Sequence, residues 1–416
     1  MSLGCINSGR PCNNQIRSSD REFFAAIRLL NNSRTAQMKT VLVFGNDHTN
    51  SVGVIQSLGL AGFRSVGLIF GSKTGFVASS KYVDKVISAK DPQTCVDKLL
   101  LEKPIGDGKT PIIACSDAAA LALERNKDRL EDDYIFEYST HFSLAYLSMK
   151  ENQVRMAQDA GFNVPKTWNL KDTKEIPTDV CYPCIIKPLV SSEGAKSDIR
   201  VCRSREEVEK NLNSLTYTKN VLLQQYIERD YEISILGCGL SSGDCLVPAV
   251  ENKLTLYPKF VGLECLVNMQ PLEDTIIIDN LKKLIQMIGY VGLFSVEMMH
   301  CKDDNQFYFT EINLRNDGAE AFITKYGVNL ALNHIEDLKG LPLTEQTDSH
   351  PGYYIWDMHH FLSMIHRDIS PIAWYKEIKQ SISFLMYFKE DKKPFYLQYK
   401  NWLLQKLHLK KNEKYT

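Results

Sequence analysis

Hydrophobic runs and helical spacing alternate along the first third of the chain. The apolar runs Lys39–Gly45, Ser65–Phe70 and Pro111–Cys115 have the length of buried strands, whereas Asn50–Ala61 and Asp117–Arg129 have the spacing of helices. The second of these helices begins with an aspartate, which is placed to cap it. Strands that alternate with helices indicate βαβ units and a parallel sheet. We therefore predict a small doubly wound α/β domain in this part of the chain.

Strands dominate the middle of the chain. A helix over Lys150–Gly161 comes first and ends at its glycine. Strand-like runs then follow one another between Tyr182 and Asn268, interrupted by one helix over Arg205–Leu215, and an amphipathic helix covers Glu273–Ile288. Runs of strands with few helices between them are typical of an α+β domain. We expect most of these strands to be antiparallel.

Hydrophobic patterning weakens after about Leu343, where we predict helices alone, over Trp356–Ile365, Ala373–Phe388 and Tyr399–Leu409. The first residues of the chain are polar, and we expect a poorly ordered extension there. The predicted division is an extension at 1–37, an N-terminal domain at 38–148, a central domain at 149–345 and a helical tail at 346–416.

The most informative pattern is a pair of strands within Leu293–Gly318, joined by a tight turn at Lys302–Asn305. Glu297 and Glu311 each lie seven residues from Asp304. If the hairpin is centred there, the two glutamates face each other with Cβ atoms roughly 4.5–5.5 Å apart. Directly opposed like charges are destabilising, so this pairing requires a cation.

Two more residues share the face of Glu311 because strand side chains repeat every second residue. These are Asn313 and Arg315. Two carboxylates and an amide oxygen are hard donors that suit Mg²⁺ bound together with substrate phosphates. The arginine could hold a phosphate or a carboxylate. The alternative is that both glutamates are surface residues paired with lysines.

Composition narrows the class of protein. The 416 residues allow about two to four domains, and 44% hydrophobic with 24% charged residues is ordinary for a globular protein. The net charge of −1 offers no bulk attraction to nucleic acid or to an anionic membrane. No apolar run approaches the roughly 18 residues of a membrane helix, and no secretory signal is recognisable. Because the 11 cysteines are scattered, we expect reduced thiols in a cytoplasmic protein.

Two further segments suggest nucleotide binding. Lys187 ends a strand, and the polar loop Leu189–Ser197 follows it with small residues that let backbone N–H groups approach anionic oxygens. An ordinary hairpin with a solvated lysine is the alternative. Downstream, the strand Val221–Ile227 could offer backbone groups to a nucleobase, and Glu232 could accept hydrogen bonds from a ribose.

The order of these segments resembles the ATP-grasp superfamily over about residues 38–345. The resemblance rests mainly on Glu297 with Glu311–Arg315, and on Cys184–Pro188. It implies an ATP-grasp fold, α/β and α+β, with an N-terminal doubly wound pre-ATP-grasp domain and a lid subdomain at about 165–228. It also implies an ADP-forming ligase that activates a carboxylate as an acyl phosphate and joins it to an amine.

The resemblance further implies a cofactor set and a role for each matching residue. The cofactors would be ATP and Mg²⁺, as two ions, with Mn²⁺ able to substitute. Arg315 and Lys187 would be catalytic, and Glu297, Glu311 and Asn313 would bind the metal. The nucleotide would be held by Lys150, Lys187, Ser191, Ser192, Gly194, Gln225, Tyr226, Ile227 and Glu232.

Partners and alternatives follow from the same patterns. The substrates would be a small carboxylate and a small amine, with Asp47 and His48 after the first strand as candidate contacts or as a capping loop. A homodimer is possible. A non-catalytic ATP-binding protein is an alternative, whereas a Rossmann oxidoreductase lacks G-x-G-x-x-G after the first strand, where Gly45 and Gly53 are too far apart.

Overall fold

The computed structural model describes residues 40–71, 75–102, 108–170, 175–188, 199–214, 221–259 and 262–407. The helices of these residues are α1 Thr49–Leu60, α2 Phe76–Ser79, α3 Pro92–Leu100, α4 Asp117–Arg125, α5 Lys127–Leu130, α6 Leu144–Leu147, α7 Lys150–Ala160, α8 Arg205–Asn213, α9 Thr275–Ile288, α10 Glu320–Tyr326, α11 Leu330–Leu338, α12 Asp357–Ile365, α13 Pro371–Gln380 and α14 Lys393–Lys406.

The strands form three sheets within the described ranges. They are β1 Thr40–Asn46, β2 Arg64–Phe70, β3 Val83–Ala89, β4 Thr110–Ala114, β5 Tyr134–Phe136, β6 Tyr138–Ser139, β7 Thr167–Asn169, β8 Cys184–Pro188, β9 Arg200–Cys202, β10 Val221–Gln225, β11 Arg229–Gly239, β12 Cys245–Tyr257, β13 Leu263–Gln270, β14 Tyr290–Cys301, β15 Phe307–Asn313, β16 Gly352–Ile355 and β17 Ser383–Phe384.

The first sheet is parallel and has the order β3-β2-β1-β4-β5. Both faces of its central strand are buried: Leu42 and Phe44 pack into one hydrophobic core, and Val41 and Val43 into the other. Burial on both faces explains why β1 is a continuous apolar run and not an alternating one. The predicted doubly wound arrangement is confirmed.

The second sheet is small and antiparallel, with the order β7-β10-β8-β9 and helix α8 beside it. It has its own hydrophobic core, which includes Ile186, Val208 and Leu223. Lys187 lies opposite Leu222 at the end of β8 in this sheet. The lysine is thus held by a unit that does not share the main core.

The third sheet has the order β15-β14-β11-β12-β13-β16-β17, and β6 also pairs with β14. Its strands β11 to β15 pair antiparallel, as the sequence predicted. Ile235, Val296 and Ile312 point into the core that also contains Leu281 and Ile285 of α9. This amphipathic helix and α7 cover one side of the sheet, so the other side can carry polar residues.

Two helix predictions require correction. The helix expected over Asp117–Arg129 stops at Arg125 and is followed by the separate α5, and its cap is Ser116, whose Oγ accepts from the Ala119 N–H. A residue with a non-helical backbone is needed at the cap, and Ser116 has φ −163° and ψ 155°. Asp117 therefore lies in the first turn and not at the cap.

The sequence predicted a tail made of helices alone, but the tail also contains the strands β16 and β17. The helix expected over Ala373–Phe388 is α13, which begins at Pro371 and ends at Gln380. Ser383–Phe384 then pairs with Gly352–Ile355, and the latter strand continues the third sheet beyond β13. Sheet pairing with a distant strand competes with helix extension, and a local pattern does not reveal it. Within the described ranges, no helix is long and apolar enough to cross a bilayer.

Candidate active site

A row of polar side chains crosses the side of the third sheet that lies opposite α7 and α9. Strand register places Glu311 opposite Glu297, Glu297 opposite Ser234, and Ser234 opposite Glu251. Residues directly opposite each other in an antiparallel sheet lie on the same face. Four neighbouring strands therefore present three carboxylates along one line.

The predicted pairing of Glu297 with Glu311 is confirmed, but its geometric origin differs. Near the turn, His300 pairs with Phe307 and Met298 with Phe309, and the register shifts between Glu297 and Met298. The extra residue is Thr310, which has no partner of its own in this register. Without this bulge the hairpin would oppose Glu297 to position 310, so the bulge keeps Glu311 on the polar face.

Each of the facing glutamates has a lysine beside it. Lys253 Nζ lies 3.3 Å from Glu297 Oε2 and 2.7 Å from Glu264 Oε1. Lys150 Nζ lies 3.2 Å from Glu311 Oε2. Burial raises the pKa of Glu297, while Lys253 acts in the opposite direction. Burial alone would lower the pKa of Lys253, but Glu297 and Glu264 raise it above its usual range.

The donor set is suited to a hard divalent cation. Glu297 and Glu311 side chains are 32% and 29% exposed, so a cation can reach both. Asn313 uses its amide nitrogen to donate to Ser295 Oγ at 3.3 Å, which leaves its oxygen to act as an acceptor. Within the described ranges, no three His, Cys, Asp or Glu side chains are grouped to hold a metal alone. A bound Mg²⁺ would thus need further oxygens, such as those of phosphates.

We call the space between the polar face of the third sheet and the second sheet the cleft. Positively charged side chains lie at the end of this cleft that is next to the second sheet. Lys187 Nζ donates to Gln224 Oε1 at 2.7 Å. The pKa of Lys187 is lowered to about 8, first by burial and then by nearby Lys150, whereas Glu311 opposes the shift. Arg229 also lowers this pKa, and it forms an ion pair with Glu232. A lysine held near other positive charges is prepared for an anionic ligand.

Arg315 connects the third sheet to the first. Its Nε lies 3.2 Å from Asp117 Oδ1, and its Nη1 lies 3.2 Å from Asp317 Oδ2. The next residue, Asn316, donates its backbone N–H to Ala114 O at 3.0 Å and its amide to Asn50 O at 3.2 Å. The segment after β15 therefore crosses the carboxyl ends of the first parallel sheet, where such sheets bind ligands.

The predicted nucleobase segment lies where β10 ends. The N–H of Gln225 donates to Lys166 O at 2.8 Å, and the N–H of Tyr226 donates to Pro183 O at 3.0 Å. These two groups are engaged within the protein, and Ile227 is the buried residue that follows them. Ser191, Ser192 and Gly194 lie outside the described residues.

Asp47 and His48, the candidate substrate contacts after the first strand, have different surroundings. Asp47 is buried, and its carboxylate accepts from the backbone N–H groups of Gly75 and Val77, so it acts as a cap for α2. His48 is exposed, and its Nδ1 lies 3.2 Å from Asn50 Oδ1. The capping interpretation therefore fits Asp47, while His48 stays a candidate at the cleft.

Sequence reasoning missed several charged residues of this face. Lys253 and Glu251 alternate along β12, which is a detectable strand signal, but nothing in the sequence indicates which strand they adjoin. Glu264, Asp117 and Asp317 join the site through contacts between separate segments. The missed residues add four carboxylates to the two facing glutamates.

Comparison with known proteins agrees with this architecture. The family model of the ATP-grasp domain matches residues 155–319. A formate-dependent phosphoribosylglycinamide formyltransferase from Bacillus subtilis is 25% identical over 76% of this chain and 81% of its own. A D-aspartate ligase from Enterococcus faecium is 22% identical over 60% of this chain and 64% of its own length, so the chain spans less than two thirds of that relative.

A solved structure gives the same result for the fold. The ADP complex of an N5-carboxyaminoimidazole ribonucleotide synthetase has a TM-score of 0.60 at 17% identity, covering 80% of this chain and 85% of the other. Glu297, Glu311, Asn313, Arg315 and Lys187 all lie inside the residues that the family model matches. The predicted resemblance and fold class are confirmed: the ATP-grasp domain model matches residues 155–319, and the chain shares the fold of this synthetase.

Proposed function

We propose that this protein is an ATP- and Mg²⁺-dependent ligase that activates a substrate carboxylate as an acyl phosphate and joins it to an amine. One observation carries the proposal: Glu297 faces Glu311 across β14 and β15, with Lys150 3.2 Å from the second glutamate. Carboxylates and lysines in contact would hold a divalent cation and the phosphates of a nucleotide side by side. A surface hairpin would have no use for this arrangement.

Each predicted residue keeps a role in the proposal. Lys187 and Lys150 would neutralise the phosphates, with Ser191, Ser192 and Gly194 as the loop above them. Glu297, Glu311 and Asn313 would hold Mg²⁺, which when bound offsets charge on the transferring phosphoryl group. Because Gln225 and Tyr226 already use their N–H groups, an adenine would meet Ile227 and backbone carbonyls. Glu232 would leave its ion pair with Arg229 and accept hydrogen bonds from the ribose.

The reaction consists of two displacements. A carboxylate oxygen bonds to the γ-phosphorus of ATP as the bond to the β–γ bridging oxygen breaks, and ADP leaves. The amine nitrogen then bonds to the carbonyl carbon as the carbon–oxygen bond to phosphate breaks. Of the two protons lost by an ammonium group, one stays on phosphate and one is released. Arg315 would steady the carbonyl oxygen while charge develops on it.

The protein's contribution is positioning and electrostatics, since phosphoryl transfer asks for little covalent chemistry. The acyl phosphate is readily hydrolysed, so water must be kept out while it waits for the amine. The second sheet carries Lys187 over the cleft on a core of its own, which suits a unit that closes. The relatives named above are a formyltransferase and an amino acid ligase, and their reactions are consistent with an amine acceptor.

The alternatives are less well supported. A dinucleotide site at the end of β1 would need space beside Gly45, where an added Cβ would lie 2.9 Å from Ser51 Oγ and 3.0 Å from Cys115 Cβ. A non-catalytic ATP-binding protein would need the lysines but not Glu297, Glu311 and Arg315 together.

The test is ADP release from ATP and Mg²⁺ in a panel of carboxylates crossed with amines, including amino acids of both hands. With a productive pair, we expect Glu311→Gln to lower turnover by a factor of about 100 or more, because metal-assisted charge stabilisation is lost. Asp303→Asn, an exposed carboxamide substitution in the turn of the same hairpin, is the matched control.

Two results would contradict the proposal. Tight ATP binding without ADP release for any pair would favour the non-catalytic alternative. Unchanged turnover and magnesium dependence in Glu311→Gln would remove the metal assignment.

A further inference from the structure

We infer that the end of the cleft away from the second sheet, which we call the acceptor end, binds a primary amine. This amine carries no phosphate and arrives as a cation or a zwitterion. The inference rests on the proposed function and deepens it by naming the chemical class of the amine. Polar residues from the third sheet, the first sheet and the tail lie side by side at this end, and we call the surface that they form the wall. The inference is drawn from this wall.

This wall is continuous from the first sheet to the tail. Gly318 lies between two side chains: a Cβ there would meet Trp356 Cη2 at 2.8 Å and Asn50 Oδ1 at 2.9 Å. Trp356 Nε1 donates to Glu251 Oε1 at 3.1 Å. Arg315 adds Asp117 from the start of α4. Trp356 comes from the tail, beyond the residues that the family model matches.

Charge on this wall is predominantly negative. Two cations lie on it within the described part of the chain, and each already contacts two carboxylates. Lys253 contacts Glu264 and Glu297, and Arg315 contacts Asp117 and Asp317. Glu251 is a further acid, only 2% exposed, and it adds negative charge only where it is ionised, because its pKa is raised. A phosphate group would therefore meet carboxylates here, and like charges in contact cost several kcal/mol.

The two ends of the cleft have opposite character. Lys150 and Arg229 both lower the pKa of Lys187 at the end beside the second sheet, and this positive charge suits the triphosphate. At the acceptor end, burial and the charge of Asp317 both raise the pKa of Glu251. Positive charge at one end and negative charge at the other would orient an anionic nucleotide and a cationic amine without competition between them.

The chemistry of Glu251 and Trp356 favours an ammonium group in particular. The pKa of Glu251 is raised to about 8, first by burial and then by Glu264, whereas Lys253 opposes the shift. A cation that enters would return this group to the carboxylate, whereas a phosphate would keep it protonated. A cation that reaches the partly exposed indole of Trp356, which contacts Phe322 and His359 with ring centroids 5.6 Å and 6.0 Å apart, would gain a further attraction.

The experiment uses the full chain saturated with Mg²⁺ and the non-hydrolysable analogue AMP-PNP, so that the phosphate end is occupied. Binding of ethanolamine is compared with O-phosphoethanolamine, and L-serine with O-phospho-L-serine, by saturation-transfer NMR titration. We expect each unphosphorylated amine to bind at least about tenfold more tightly than its phosphorylated counterpart, because like charges in contact are unfavourable. Its affinity should rise as the pH is raised towards 8, as Glu251 ionises.

Variants locate the effect on this wall. Glu251→Gln keeps an acceptor for Trp356 but removes the charge, and we expect it to weaken ethanolamine binding at least about tenfold and to abolish the pH dependence, since the opposite charge is lost. Asp117→Asn, at an exposed position, should act in the same direction without affecting the fold. Asp132→Asn is the control, because Asp132 is exposed and lies just before β5, at the amino end of the first sheet. AMP-PNP affinity should stay unchanged in all three.

The outcomes separate this inference from the proposed function. Equal or tighter binding of the phosphorylated compounds overturns the inference, and so does AMP-PNP binding without binding of either amine. Failure of AMP-PNP itself to bind overturns the proposed function, and the inference with it.

Discussion

Lys253 is the residue on which the charge balance of the cleft depends most. It is almost fully buried, and its ammonium group joins Glu264 to Glu297. A buried lysine is tolerated only when paired, because desolvation of an isolated charge is costly. Lys253 thus lets β12, β13 and β14 carry carboxylates on one face, and it holds Glu297 in place before any metal binds.

At the same scale, the pKa of Lys187 predicts how nucleotide binding depends on pH. In the nucleotide-free protein this pKa is lowered to about 8, chiefly by burial. Above that pH the lysine is neutral, so binding of ATP must take up a proton. We expect the Kd for ATP to rise by about tenfold per pH unit above pH 8, as linkage requires. Isothermal titration calorimetry between pH 7 and 10 measures this.

Lys187→Arg is the control for this prediction, because a guanidinium stays charged throughout the range. Its Kd should change little between pH 8 and 10. The same slope in both proteins would mean that another group titrates. Lys187→Ala should weaken ATP binding at neutral pH, where the native ammonium group is still present.

At the scale of elements, the helix that follows the site is held by a glycine that no other residue can replace. Gly327 ends α10 with φ +128°, and a Cβ there would lie 1.7 Å from the carbonyl oxygen of Asp348. The clash is with backbone, so no side-chain rotation relieves it. Since α10 follows Asp317 directly, this turn also supports the segment that carries Arg315.

We therefore expect Gly327→Ala to lower the free energy of unfolding by about 3 kcal/mol or more, combining left-handed strain with overpacking. Gly62→Ala is the matched control, because Gly62 has φ +90° and nothing lies within 4 Å of its added Cβ. That variant should lose only about 1 kcal/mol, the strain alone. Urea unfolding measures both, and equal losses would contradict the clash.

The hairpin of β14 and β15 shows what a sequence pattern can predict about strand pairing and what it cannot. Counting residues from Asp304 correctly paired Glu297 with Glu311, yet the turn itself is centred half a residue earlier and the bulge at Thr310 restores the pairing. A period-two pattern reveals which residues share a face, but an inserted residue changes the register without changing composition. The prediction over Ala373–Phe388 was wrong over its second half for a different reason, because β17 forms only through its pairing with β16.

At the scale of the whole molecule, the tail is an integral part of the fold. Lys325 of α10 donates from its buried Nζ to the backbone carbonyls of Phe384 and Leu385, and it lies 3.8 Å from the ring centroid of Phe388. Asp357 accepts from the N–H of Met386 at 2.7 Å. Burial lowers the pKa of Lys325 to about 7, and Asp357 opposes the shift. The tail therefore docks through buried charges as well as apolar contacts.

We expect Lys325→Met to destabilise the protein by about 2–4 kcal/mol, because two buried carbonyls lose their donor and Asp357 loses a nearby cation. A double-mutant cycle with Asp357→Asn should show a coupling of about 1 kcal/mol or more. Lys376→Met on the exposed side of α13 is the control and should stay within about 0.5 kcal/mol. Chemical denaturation measures all five proteins, and a loss no greater than that of the control would contradict this role.

Local patterns in the chain were enough to predict most strands and helices, the shared face of Glu297, Glu311 and Asn313, and Lys187 near a strand end. These patterns are short-range and follow the periods of strands and helices. The folded structure was needed to show that Arg315 contacts Asp117, 198 residues away, and that Trp356 contacts Glu251, 105 residues away. Such meetings depend on how separate sheets and the tail pack, and packing is a property of surfaces that no local period encodes.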